Sequence, residues 1–200
     1  MSLNGKFGYY IDKTGKEVIP LKYDLKYDYD NMRDSGDFSE GLASVKLNGK
    51  FGYIDKTGKE IVPLKYDAVR SFESGLARVY VWEKNKGLKY GFIDKTGKEV
   101  IPLKYDYDAL EYGFNSGNFI EGLARVSLNG KWGYIDKTGK EVIPFKYDDI
   151  TLFSEGLAMV VLNGKCGYVD KTGKEITPLK YDVERVQWWI EMELLKKMIE

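Results

Sequence analysis

Between residues 123 and 128 apolar and polar positions alternate. Ala124, Val126 and Leu128 fall on one side, and Arg125 and Ser127 on the other. That is the period of a half-buried β-strand. Asn129-Gly130 follows, the pairing favoured in a type I′ hairpin turn because both positions need positive φ. Residues 131–136 then form a return strand with Trp132 and Tyr134 on one face and Gly133 and Ile135 on the other. Lys137-Thr138-Gly139 fits a loop closed by a left-handed glycine, with Asp136 placed to accept hydrogen bonds from the turn amides. A third strand follows through Tyr147; Pro144 removes one ladder donor, so the strand is an edge or bends there. The segment predicts a three-stranded antiparallel meander. The pattern changes at 183–200, where Val183, Val186, Trp189, Ile190, Leu194 and Leu195 recur at helical spacing behind a candidate N-cap, Asp182. This predicts an amphipathic α-helix capping the end of a β-array. A dimer contact and the start of a further domain are the alternatives.

The meander recurs. DKTGKE starts at Asp12, Asp55, Asp94, Asp136 and Asp170, each time after an X-Gly pair: Phe7-Gly8, Phe51-Gly52, Tyr90-Gly91, Trp132-Gly133 and Cys166-Gly167. All 5 prolines lie at one position of the unit, before Leu-Lys-Tyr-Asp or its Phe variant, and EGLA-type segments precede the opening strands. A glycine kept in every copy predicts a bulge or a close backbone approach. A single meander buries little, so the copies are expected to stack. The domain division is a repeat array over 1–182 and the helix over 183–200.

The fourth copy, NGKWGYIDKTGKEVIPFKYDDITLFSEGLAMV, resembles the WG (KWG) repeat of bacterial proteins, and the resemblance extends over five copies. It implies an all-β tandem-repeat fold, mostly of unknown function, and brings no catalytic residues with it. The signature tryptophan stands only at Trp132. An open superhelical stack is expected, with a five-bladed propeller as the alternative. The first copy starts at its Asn4-Gly5 turn, and no EGLA strand after Asp182 replaces the missing opening strand.

Lys and Arg number 31 and Asp and Glu 31, a balance that argues against nucleic-acid binding. Histidine is absent and there is 1 cysteine, which removes Ser-His-Asp chemistry, His-ligated metals and intrachain disulfides. Cys166 takes an aromatic position and is expected to be a core thiol. No apolar run is long enough to span a bilayer, and MSLNGKFGYY is not a signal peptide. Location is open, with the cytoplasm as default. Neither a cofactor nor a metal is expected: YDYDN lacks the glycine and distal glutamate of a calcium loop. The recurring aspartates suit turns and strand ends, so the protein is expected not to be an enzyme.

Function in repeat arrays concentrates in departures from the repeat. Insertions at 25–37 and 107–118 lengthen equivalent loops, and the segment 82–88 replaces an Asn-Gly turn. The candidate contact residues are Tyr27, Asp28, Tyr29, Asp30, Tyr107, Asp108, Tyr112, Phe114 and Trp82, since rings give apolar area and short polar groups give direction. The alternative is that these rings cover an exposed edge. The expected function is a protein–protein interaction scaffold; a carbohydrate or cell-wall binding module is the alternative. Repeated, exposed aromatics at one place in each unit would favour sugar. Gly8, Gly52, Gly91, Trp132, Gly133 and Gly167 are expected to be structural.

Overall fold

The computed structural model describes residues 2–3, 6–7, 18–19, 22–24, 38–107 and 117–183. Two units divide the chain, Met1–Tyr107 and Asp108–Glu200. In the first, β1 (Ser2–Leu3), β2 (Lys6–Phe7) and β3 (Tyr23–Asp24) form one sheet, and β4 (Leu42–Leu47), β5 (Lys50–Asp55) and β6 (Glu60–Tyr66) a second. A third follows the order β7 (Ala68–Val69), β8 (Leu76–Glu83), β9 (Gly87–Asp94) and β10 (Glu99–Asp106). In the second unit, β11 (Phe119–Ile120), β12 (Leu123–Leu128), β13 (Lys131–Asp136) and β14 (Glu141–Tyr147) pair in sequence. So do β15 (Asp149–Ile150), β16 (Leu157–Leu162), β17 (Lys165–Asp170) and β18 (Glu175–Asp182).

The fold is all-β: antiparallel three-strand meanders, some with a short leading strand, in sheets that do not close into a barrel. Of the predicted C-terminal helix, only Val183 lies among the described residues. One expectation needs correcting. Ser2 pairs with Phe7 and Leu3 with Lys6, so the first copy does carry the end of an opening strand.

The hairpin between strands one and two turns on Asn48-Gly49, Asn129-Gly130 and Asn163-Gly164, both residues at positive φ each time, as the type I′ preference dictates. A second tight turn precedes the opening strands β4, β8, β12 and β16. Glu40, Ser74, Glu121 and Glu155 take φ of 50–51° before a glycine, and Ser39, Glu73 and Ser154 bridge to the leucine beyond the turn.

The third strand bends as Pro144 suggested. In the β13–β14 pairing Trp132 faces Tyr147 but Tyr134 faces Ile143, so the proline segment bulges opposite Gly133. A Cβ on Gly133 would lie 2.5 Å from the Ile143 carbonyl oxygen, and one on Gly52 2.4 Å from that of Val62. The glycine is there because backbone occupies the space of a side chain.

Each meander has two faces, and within each unit one copy nests on the next. One face of β4–β6 presents Leu42, Tyr53, Val62 and Tyr66, which pack on Val69, Phe72, Ala77, Val79 and Ile93 of the next copy. The other face, Ala43, Val45 and Ile54, receives Ile19 and Tyr23 of the preceding copy. In the second unit Trp132, Tyr134, Ile143 and Tyr147 receive Ile150, Ala158, Val160 and Val169. The alternation along β4–β6 fills both sides, so that sheet is a core wall twice over.

Candidate site on the β8–β9 hairpin

The loop candidates Tyr27, Asp28, Tyr29, Asp30, Asp108, Tyr112 and Phe114 lie outside the described residues, as does Gly8 among the structural ones. Trp82 and Tyr107 lie within them, and the structure brings them to one sheet face.

The segment 82–88 lengthens the β8–β9 hairpin past the point where the other copies turn. Trp82 pairs with Leu88 and Glu83 with Gly87. The tip turns through Asn85 and Gly87, at φ 68° and 77°, and the Lys86 amide donates to the Glu83 carbonyl at 3.1 Å. The Glu83 and Lys86 side chains pair at 2.9 Å. Below the tip, Tyr80 pairs with Tyr90 and Tyr90 with Tyr105. The Tyr107 amide donates to the Leu88 carbonyl at 3.0 Å. Directly opposed residues share a face and strand neighbours two apart do too. Tyr80, Trp82, Leu88, Tyr90, Tyr105 and Tyr107 therefore line one surface.

This surface grades from core to solvent. Tyr80, Tyr90 and Tyr105 are buried, Tyr107 is 37% exposed and Trp82 67%. The rings run on from one another, Tyr90–Tyr105 at 5.9 Å, Tyr80–Tyr90 at 5.7 Å and Tyr80–Tyr107 edge-on at 5.6 Å. The Arg78 guanidinium lies 5.7 Å from the Tyr80 ring centre and 5.4 Å from that of Tyr90, a cation–π position. The buried Lys89 pairs with Asp106, joining β9 to β10 where the exposed part begins.

Asp67 holds the backbone under Trp82. Its Oδ2 accepts from the Trp82 amide at 2.7 Å and its Oδ1 from Lys50 Nζ at 2.5 Å. Burial works to raise its pKa by favouring the neutral form, but the Lys50 ammonium and the Trp82 amide outweigh it and keep the carboxyl below the usual aspartate range. Asp148 repeats this device with the Asn163 amide at 2.6 Å and Lys131 at 2.5 Å. It is therefore a structural strut reused beneath a hairpin that, in one copy only, carries an exposed indole.

The repeat-signature ring is placed differently. Trp132 is buried and lies beneath the Arg125 guanidinium, 4.0 Å from its ring centre. Tyr90 and Cys166 are buried too, and Phe51 is half-buried. Burial, and next the Asp182 carboxylate, push the Cys166 thiol up, away from reactive thiolate. The turn aspartates are occupied as foreseen for Asp136. Its Oδ1 accepts from Thr138 Oγ1 at 2.6 Å and from the amides of Thr138 and Lys140 at 2.8 and 3.1 Å. Asp55, Asp94 and Asp170 repeat the pattern. Among the described residues no three acidic or cysteine side chains converge to hold a metal ion.

Trp82 and Tyr107 were legible as departures from the repeat. Tyr80, Leu88 and Tyr105 were not singled out, although Tyr80/Trp82 and Tyr105/Tyr107 stand two apart, the spacing that puts them on one face.

The described geometry is that of a tandem-repeat protein, and comparison with protein families agrees. The family described as WG containing repeat matches residues 10–51, 51–81, 90–132, 132–166 and 167–183. The chain belongs to the WG repeat family. No curated protein matches it.

Proposed function

We propose that this chain is a non-catalytic interaction scaffold that engages a protein partner through the exposed end of the aromatic ladder, Trp82 with Leu88 and Tyr107. The observation that carries this reading is the 67% exposure of Trp82 on a backbone hydrogen-bonded to β9 and Asp67. A large ring presented on a rigid strand loses little entropy on binding and supplies much of the contact energy of a protein interface. Glu83, Lys84 and Lys86 around it give a mixed-charge rim.

The sugar-binding alternative has weaker support. It draws on an aromatic platform repeated in each unit, whereas the repeat-signature positions Tyr90, Trp132 and Cys166 are buried.

One experiment separates the two. The immobilised chain and a Trp82→Ala variant are offered soluble protein and washed cell-wall polysaccharide in turn. The expected result is one defined protein retained by the wild type and lost by the variant, both having the same melting temperature. Retention of polysaccharide lost on Trp82→Ala would transfer the site to the sugar reading. Equal retention by both chains would sink the assignment of the site to Trp82.

A further inference from the structure

Every described meander except the last has its tyrosine-bearing face buried. Tyr53 and Tyr66 are 1% and 3% exposed in the second copy. Their counterparts in the fifth, Tyr168 and Tyr181, are 37% and 49% exposed. Leu157, the counterpart of buried Leu42, and Ile176, the counterpart of core-packed Ile61, are exposed as well. Register puts the two tyrosines on one surface with Met159 and Val161. Met159 opposes Tyr168, Val161 opposes Cys166, and on the next strand Cys166 opposes Tyr181 and Tyr168 opposes Thr177. A contiguous apolar sheet face of this kind is a docking surface awaiting its cover.

In the second and fourth copies the chain just beyond the Lys-Tyr-Asp segment supplies the cover. The residues two and five past the aspartate enter the core: Val69 and Phe72 after Asp67, and Ile150 and Phe153 after Asp148. After Asp182 those positions are Glu184 and Gln187, which cannot play that part. The apolar residues that follow, Val186, Trp189, Ile190, Leu194 and Leu195, recur at helical spacing instead.

The point of departure fits. Lys165 Nζ pairs with Asp182 at 2.5 Å and the Val183 amide donates to the Gly164 carbonyl at 3.3 Å, so the following chain leaves from the hairpin end of the sheet. From there the open face lies back along β18, past Tyr181 to Tyr168. Residues 184–200 in helical form reach about 25 Å at about 1.5 Å per residue. The 8-residue β18 runs about 26 Å at about 3.3 Å per residue. We propose that residues 184–200 lie along the exposed face of the fifth meander as a helix, with Val186, Ile190 and Leu194 over Tyr181, Tyr168 and Met159. The cover changes there from strand to helix, in cis.

The test is disulfide trapping in the full-length chain. In a Cys166→Ser background, Tyr168→Cys on the exposed central strand is combined with Ile190→Cys or with Leu194→Cys. Thr172→Cys, in the turn after β17, replaces Tyr168→Cys in the control pairs. Oxidation is followed on non-reducing gels and by light scattering. A cap in cis predicts that at least one Tyr168→Cys pair closes within the monomer about tenfold faster than its control, because tethered groups meet at high effective concentration. Closure only between two chains, with dimers in light scattering, would overturn the proposal and assign the face to a second copy. Rates no faster than the controls, with each variant keeping the parent melting temperature, would overturn it too. Neither result touches the Trp82 reading, which rests on a different face and a different variant.

Discussion

The hydroxyl of Tyr134 donates to the backbone carbonyl of Thr151 at 2.8 Å, tying the middle strand of one copy to the loop that opens the next. Tyr53 and Arg70 do the same, again 17 residues apart. A bond repeated between copies at one sequence offset reports one nesting geometry used twice. Tyr134→Phe removes the donor and keeps the ring, so it should cost about 1 kcal/mol, the net value of such a bond. Tyr134→Ala also empties a buried socket and should cost about 3–5 kcal/mol. Urea unfolding of the two variants measures the difference. No loss in Tyr134→Phe would mean that the hydroxyl contributes nothing.

The two glycines of the fourth hairpin should respond for different reasons. A Cβ on Gly133 meets the Ile143 carbonyl at 2.5 Å, whereas one on Gly130 meets nothing within 4 Å. Gly133→Ala must displace the proline bulge and should cost about 3 kcal/mol, the upper range for overpacking. Gly130→Ala has only the strain of its φ of 73° to bear, about 1 kcal/mol. Melting curves in the opposite order would reject the close-approach account.

Acid should loosen the turns. Thr138 foremost, then the backbone amides of Thr138 and Lys140, hold the Asp136 carboxyl below its usual range. Thr57, Thr96 and Thr172 do so for Asp55, Asp94 and Asp170. A carboxyl depressed on folding contributes stability that is complete above its unfolded value, about 3.9, and is lost as pH falls through the folded value. Melting temperature should therefore hold from neutrality to about pH 5 and fall below about pH 4. Asp136→Asn should melt lower at neutral pH and show a shallower acid decline. Parallel pH profiles for variant and parent would show that the charge at Asp136 does not matter.

The aromatic ladder should divide into a functional tip and a structural root. Trp82→Ala should leave unfolding within about 0.5 kcal/mol of the parent, as for exposed sites. Tyr107→Ala should lose about 1 kcal/mol with its edge contact to Tyr80. Tyr105→Ala should lose about 3–5 kcal/mol. A loss above about 2 kcal/mol for Trp82→Ala, typical of a core change, would make the ring structural and remove the basis of the proposed site.

The repeat, its strand periodicity and its Asn-Gly and DKTG turns were legible because each rests on local chemistry. A turn demanding positive φ selects glycine or asparagine, and a half-buried strand shows a period of two. The invariant glycine pointed to backbone crowding, and Val62 and Ile143 supply it. The Glu-Gly turns were not legible, since glutamate has no preference for the left-handed region; Glu40 and Glu121 reach it under tertiary constraint. Glu40 accepts from the Gly75 amide at 3.1 Å and pairs with Lys95 at 2.8 Å, both in the next copy. Sequence likewise could not grade the ladder. Trp82 and Tyr80 stand two residues apart in the same pattern, and only the three-dimensional surroundings bury one and expose the other.

The nesting faces carry a consequence for assembly of the fold. Ile19 and Tyr23, Val62 and Tyr66, and Ile143 and Tyr147 are nearly the same socket, and the Ala-Val plugs they receive are nearly the same plug. Chemistry alone gives a socket little reason to prefer its own neighbour over another copy's plug. For the second and third of these sockets the choice falls to connectivity: Asp67 alone separates β6 from β7, and Asp148 alone separates β14 from β15. Such a leash presents the correct plug at an effective concentration of order millimolar, far above that of any rival chain. Fidelity here is a property of linker length, and an engineer who lengthened those junctions would create partners that swap.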